Sequence, residues 1–131
     1  MLIIDGHLDL AMNAIKENRD LLENVWTMRV RESQYQGYCK GKSTVSLPEM
    51  RAGRIALCFT TAHAFCTIGR FIEHMDFGST AQAFAVARGQ LAYYEALERD
   101  GHARIIKSRL QLDSHMAEWT QWDTQEDADP E

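Results

Sequence analysis

The sequence has few cysteines, and none of them are spaced as a redox or zinc pair. Its three cysteines are Cys39, Cys58 and Cys66, and no Cys-x-x-Cys occurs. An odd number without paired spacing argues against a disulfide framework. Cys58 lies in an apolar run, which is typical of a small buried hydrophobe. We therefore predict reduced thiols and a cytoplasmic location.

The chain also lacks an excess of positive charge and a long apolar run. It has 14 Lys and Arg against 19 Asp and Glu, for a formal net charge of −5. The basic residues are scattered, which argues against a nucleic-acid partner. The first residues carry no basic leader, so no signal peptide is visible. No apolar stretch is long enough to predict a transmembrane segment.

Several catalytic motifs are missing as well. There is no Gly-x-Gly-x-x-Gly and no Walker loop, so nucleotide phosphate binding has no support. No Gly-x-Ser-x-Gly elbow occurs, which argues against a serine hydrolase triad. No His-Glu-x-x-His occurs, which excludes a helix-borne zinc protease.

Short apolar runs and helical patterns alternate along the chain. At 131 residues, 45% hydrophobic and 25% charged, the sequence is ordinary for one globular domain. Strands buried between two layers are predicted at residues 2–4, 55–59 and 103–106. Helices are predicted at residues 21–31, 46–53 and 79–99, and from residue 108 onward. This alternation predicts an α/β fold with about three parallel βα units.

The predicted helix starts have a physical basis. Ser46 followed by Pro48 and Glu49 has the pattern of a capping box with proline in the first turn. The same cap pattern occurs at Ser79 and at Ser108, each followed three residues later by glutamine. One apolar face is expected on the helix of residues 79–99, formed by Phe84, Ala87, Leu91, Tyr94 and Leu97.

The most informative polar residues are His7 and Asp9, which follow the first predicted strand. In an extended segment, residues two apart point the same way, so imidazole and carboxylate should project together. Active sites of parallel α/β proteins collect at the carboxyl ends of strands. Imidazole nitrogen and carboxylate oxygen suit zinc or a similar divalent ion. The alternative is a surface histidine beside an aspartate, or one hydrogen-bonded within a loop.

Four further histidines are weaker candidates or have no predicted role. His63 follows the second predicted strand and would face the same edge if the two strands are neighbours, although a polar loop residue is the simpler interpretation. His74 lies near Asp76 and is better explained as a solvated loop residue than as a substrate contact. His102 and His115 receive no role.

Two motifs in order resemble the membrane (renal) dipeptidase family of zinc peptidases. Residues 3–10, Ile-Ile-Asp-Gly-His-Leu-Asp-Leu, are similar to that family's opening strand, Asp-Gly-His-x-Asp. Residues 46–53, Ser-Leu-Pro-Glu-Met-Arg-Ala-Gly, look like its short helix before the second strand. The long helix and the 103–106 segment fit in order. Related amidohydrolases usually carry His-x-His, so Asp9 favours the dipeptidase branch.

The resemblance implies a (β/α)8 barrel with two zinc ions at its carboxyl-terminal mouth. His7 and Asp9 would both ligate one of them, and a hydroxide bridging the metals would attack the dipeptide. No residue of this sequence is assigned as the family's acid/base, and the substrate-binding residues stay unknown. Glu126 and Glu131 are rejected as the family's bridging glutamate because they lie in a polar acidic tail. Family members are often dimers, so a homodimer is also implied.

The resemblance covers only the amino-terminal part of such a barrel, which typically needs about 250 residues. We expect residues 1–122 to form this incomplete segment and residues 123–131 an acidic tail. The expectation for the isolated chain is weak zinc binding and no dipeptide cleavage. Two alternatives stay open. One is a non-catalytic α/β module or fragment that binds a partner through an unpaired sheet edge. The other is a different metal-dependent amidohydrolase, such as a deacetylase.

Overall fold

The computed structural model describes residues 1–37, 39–67 and 76–125. Within these ranges the chain forms a mixed α/β structure with two strands and five helices. The strands are β1 (Ile3–Leu8) and β2 (Ile55–Thr60). The helices are α1 (Leu10–Glu17), α2 (Val25–Glu32), α3 (Leu47–Ala52), α4 (Thr80–Arg99) and α5 (Arg109–Thr124).

The two strands pair in parallel, as predicted. Ile3 lies opposite Ile55 and Leu8 opposite Thr60, with irregularities in register between them. Because the strands are parallel, their carboxyl ends meet at one edge of the sheet. That edge carries His7 of β1, Asp9 directly after β1, and the segment that follows Thr60 of β2.

The third predicted strand is not a strand in the structure. Residues 103–107 have no regular secondary structure. The backbone N–H of Ile105 donates to Oε1 of Glu98 at 2.8 Å, and the Ile105 side chain packs against the core. The N–H is thus satisfied by a carboxylate on α4 and not by a neighbouring strand. The described sheet therefore has two strands, and the third predicted βα unit lacks its strand.

The prediction that these strands are buried on both faces was also wrong for the described structure. Ile3 is 43% exposed and Ile4 57% exposed, while in β2 only Ala56 is buried. Full burial of a parallel sheet requires helices on both faces. The described helices do not supply that cover.

Two helix starts were predicted together with their caps, and the apolar face of the long helix was predicted only in part. Ser79 and Ser108 accept hydrogen bonds from the backbone N–H of Gln82 and Gln111, as N-caps do. Ser46 instead donates its hydroxyl to the Glu49 carboxylate and makes no side-chain cap to the backbone. Phe84, predicted on the buried face of α4, is 68% exposed.

Two other boundaries differ from the predictions. α1 was not predicted, and the helix expected over residues 21–31 begins only at Val25, where Asn24 caps it. α5 continues to Thr124, so Asp123, predicted in the acidic tail, is helical and contacts the amino group of Met1 and the guanidinium of Arg54. The remaining predicted tail, residues 126–131, lies outside the described ranges.

The core lies between α1, α3, α4 and the turn after α1. Its buried members are Leu10, Ala11, Ala14, Leu21, Met50, Tyr94 and Leu97. Packing of α4 against α1 brings the middle of the long helix close to the carboxyl ends of the strands. In the part of the chain that the structure describes, no helix combines the length and apolar character needed to cross a membrane.

Candidate metal centre

His7 and Asp9 project to the same side at the end of β1. His7 lies within the strand, and Asp9 immediately precedes α1 as its N-cap. Nε2 of His7 is 3.4 Å from Oδ1 of Asp9. The two side chains are 72% and 31% exposed, so the pair is open to solvent. This is the juxtaposition that the metal-ligand prediction requires.

The segment after β2 completes the surroundings of Asp9. The backbone N–H of Thr61 donates to the carbonyl oxygen of Leu8 at 3.0 Å, which extends the strand pairing by one residue. The Thr61 hydroxyl donates to Oδ1 of Asp9. Nδ1 of His63 lies 3.5 Å from the same oxygen and 3.4 Å from the Thr61 hydroxyl. The structure thus places His63 at the same sheet edge as His7 and Asp9, where it was expected if the two strands are neighbours.

Two residues of α4, which the sequence analysis did not select for the site, hold this segment in place. Gln90 is 1% exposed; its Oε1 accepts from the backbone N–H of His63 at 2.9 Å, and its Nε2 donates to the His63 carbonyl oxygen at 2.7 Å. One helical turn later, the Tyr94 hydroxyl donates to the carbonyl oxygen of Thr61 at 2.7 Å. Burial is the main cause that raises the pKa of this phenol, so Tyr94 acts as a neutral hydroxyl.

The position of Gln90 in the sequence could have identified it as a buried polar residue. It is a polar residue one turn before Tyr94, at the spacing that places both on one helix face. A buried amide needs partners for both its oxygen and its nitrogen, and a loop backbone can supply both. Tyr94 was identified only as an apolar face residue, although a buried tyrosine usually finds a partner for its hydroxyl.

The separation of the two predicted ligands fits a shared divalent cation. Zinc binds nitrogen and oxygen ligands at about 2.0–2.2 Å, so two ligand atoms of a tetrahedral site lie roughly 3.3–3.6 Å apart. The His7–Asp9 distance of 3.4 Å falls within that range. Within residues 1–37, 39–67 and 76–125, however, no group of three or more His, Cys, Asp and Glu side chains is placed to hold a metal ion. The described site therefore offers a ligand pair.

The other candidates lie elsewhere. His102 is exposed in the turn after α4. Nε2 of His115 lies 2.6 Å from the carbonyl oxygen of Ala56, which joins α5 to β2 and not to the site. His74, Glu126 and Glu131 lie outside the described residues.

The fold and this edge define the class of the molecule as an α/β protein with a histidine–carboxylate pair at the ends of parallel strands. The chain matches no protein-family model, no curated protein and no solved structure. The resemblance to membrane dipeptidases therefore rests on the two sequence motifs and stays a prediction.

Proposed function

We propose that this chain carries the first metal ligands of a zinc-dependent dipeptidase, with His7 and Asp9 binding one cation. The observation that supports the proposal most directly is the 3.4 Å separation of Nε2 of His7 and Oδ1 of Asp9, on one side of the chain at the end of a parallel strand. The Asp-Gly-His-x-Asp motif supports the proposed family, and with it the finer fold proposal that β1 and β2 begin a (β/α)8 barrel.

The chemistry of the two side chains suits the proposed reaction. When bound, zinc would polarise the scissile carbonyl and lower the pKa of water, which generates a nucleophile at neutral pH. His7 offers a nitrogen ligand and Asp9 an anionic oxygen, and the exposure of both leaves room for a substrate. Thr61 donates to the Asp9 oxygen and so fixes the carboxylate, as outer hydrogen bonds to metal ligands do.

Zinc titration of the 131-residue chain tests the proposal. We expect binding of one zinc ion by the wild-type chain, a loss of at least tenfold in affinity for His7→Ala and for Asp9→Asn, and no change for His102→Ala. The last variant removes an exposed imidazole away from the site and is the matched control. Equal affinity of all four proteins would exclude His7 and Asp9 as ligands.

The same titration separates one of the two alternatives from the proposal. A partner-binding α/β module would bind no zinc at these residues, and the exposure of Ile3, Ile4 and Phe59 on the sheet is the observation that favours it. A different amidohydrolase would bind zinc at His7 and Asp9 but act on another amide. Measurement of dipeptide and acetylated-amine binding by the zinc-loaded chain distinguishes that case from a dipeptidase.

A further inference from the structure

Asp9 occupies a helix N-cap but does not use its carboxylate there. Aspartate is among the residues most preferred at an N-cap, because its side chain accepts a backbone N–H of the second or third helical residue. Asp9 precedes Leu10, the first residue of α1, yet it makes no side-chain cap hydrogen bond. Its Oδ1 is directed instead at His7, Thr61 and His63.

A side chain from another helix caps α1 in place of the Asp9 carboxylate. The backbone N–H of Ala11, the second residue of α1, donates to the hydroxyl of Tyr94 at 3.0 Å. Tyr94 is 9% exposed and Ala11 is fully buried, so water cannot easily replace this bond. The same hydroxyl donates to the Thr61 carbonyl oxygen, which means that one phenol joins the start of α1 to the end of β2.

We propose that Tyr94 and Gln90 are positioning residues for Asp9, an inference that rests on the proposed function. Tyr94 caps α1 in place of Asp9 and so keeps the carboxylate free for the cation. Gln90 holds the backbone of His63. Together, Gln90 and Tyr94 fix residues 61–63, so that the Thr61 hydroxyl and the His63 imidazole orient Oδ1 of Asp9. Neither residue would be a ligand of the cation.

The physical reason is a competition for one carboxylate. Without the Tyr94 hydroxyl, the buried N–H of Ala11 has no acceptor, and a buried unsatisfied donor is unfavourable. Asp9 is already in the cap position, from which an aspartate side chain accepts such an N–H. Rotation of that carboxylate onto the N–H would withdraw it from His7.

Zinc titration of Tyr94→Phe and Gln90→Met tests the inference, with Tyr93→Phe as the matched control. Tyr93 is the adjacent residue of α4, and its replacement removes a hydroxyl without touching Ala11 or Thr61. We expect zinc affinity to fall tenfold or more in Tyr94→Phe, by less in Gln90→Met, and not at all in Tyr93→Phe. Hydrogen bonds to metal ligands typically contribute effects of about 10–100-fold. Unchanged affinity in Tyr94→Phe would overturn the inference.

A second control separates positioning from general destabilisation. Leu21→Ala weakens the core in the turn after α1 without altering a polar group of the site, so zinc affinity per folded molecule should be retained. If it falls as far in Leu21→Ala as in Tyr94→Phe, the role of Tyr94 is merely structural. Should Tyr94→Phe fail to fold, Gln90→Met decides by the same comparison.

A metal-free measurement distinguishes failure of this inference from failure of the proposed function. Long-range proton–nitrogen NMR correlation spectra, recorded without zinc, report the ring environments of His7 and His63. We expect both sets of ring signals to move in Tyr94→Phe and to stay in place in Tyr93→Phe. If the wild-type chain binds no zinc, the proposed function is wrong. If the histidine ring signals do not move in Tyr94→Phe, the positioning role is wrong.

Discussion

Nδ1 of His63 lies 3.5 Å from Oδ1 of Asp9, although the two residues follow different strands. The parallel pairing of β1 and β2 places both residues at one edge, and Gln90 fixes the backbone of His63 there. Two imidazoles consequently lie close to the same carboxylate oxygen, since Nε2 of His7 is 3.4 Å from it.

Replacement of His63 should weaken zinc binding at His7 and Asp9. His63→Ala removes a ring that orients the Asp9 carboxylate, and loss of such an outer contact costs about tenfold in affinity. Isothermal titration with zinc measures the effect, and His102→Ala, which removes an exposed imidazole, serves as reference. An unchanged dissociation constant would show that the ring does not orient Asp9.

The 131-residue chain should hydrolyse no dipeptide, even with saturating zinc. The described residues supply one ligand pair, whereas hydrolytic zinc sites generally have three protein ligands and an open position. A zinc-supplemented assay on a panel of dipeptides, read by release of free amino acids, checks this. Turnover that His7→Ala abolishes would refute the expectation.

Removal of the Glu32 charge should destabilise the fold. Arg19 and Glu32 are 7% and 6% exposed and form two hydrogen bonds, at 2.6 and 3.0 Å. Glu32→Gln leaves the buried guanidinium without its counter-charge, so the free energy of unfolding should fall by about 3 kcal/mol. Urea unfolding measures this. Glu118→Gln, at an exposed ion pair with Arg104, should change it little.

The same pair predicts a pH dependence of stability. The hydrogen bond from Arg19 lowers the pKa of Glu32 below its usual value, with help from the backbone N–H of Gly41. A carboxyl group with a lower pKa in the folded state stabilises the fold above its unfolded pKa of about 4.3 and loses that contribution as pH falls through the folded pKa. The stability difference between wild type and Glu32→Gln should therefore be full at pH 7 and shrink below about pH 4. A difference that is constant down to pH 3 would contradict this.

Leu21 should be the most sensitive apolar position in the turn between α1 and α2. Its side chain is fully buried in the main core, and its carbonyl oxygen accepts from the backbone N–H of Leu47 at 2.9 Å. Leu21→Ala should lower the free energy of unfolding by about 2–5 kcal/mol, because it leaves a cavity. Urea unfolding tests this against Leu22→Ala, whose side chain is 43% exposed and should matter less.

Local chemistry made several elements predictable. Ser79 and Ser108 begin helices because a hydroxyl followed by helix-forming residues satisfies the first backbone N–H groups without help from the rest of the fold. His7 and Asp9 face the same way because they are two residues apart in a nearly extended segment. The parallel arrangement of β1 and β2 followed from the helical connection between two apolar runs.

Two predictions failed because the described structure did not supply the partner that the sequence pattern requires. Residues 103–106 have the composition of a strand, but Glu98 satisfies Ile105, and no strand forms there. Phe84 has the spacing of a core residue, yet nothing in the described structure covers it, and it remains largely exposed.

The sequence by itself determined the capped starts of α4 and α5 and the shared direction of His7 and Asp9, since each depends on residues only a few positions apart. Tertiary structure alone decided that Thr61 and His63 contact the Asp9 carboxylate and that Gln90 and Tyr94 hold the backbone of those two residues. Those contacts exist because β1 and β2 pair in parallel and α4 packs on α1. The buried amide of Gln90 and the buried phenol of Tyr94 both need hydrogen-bond partners, and this packing brings them partners from segments far away in the chain.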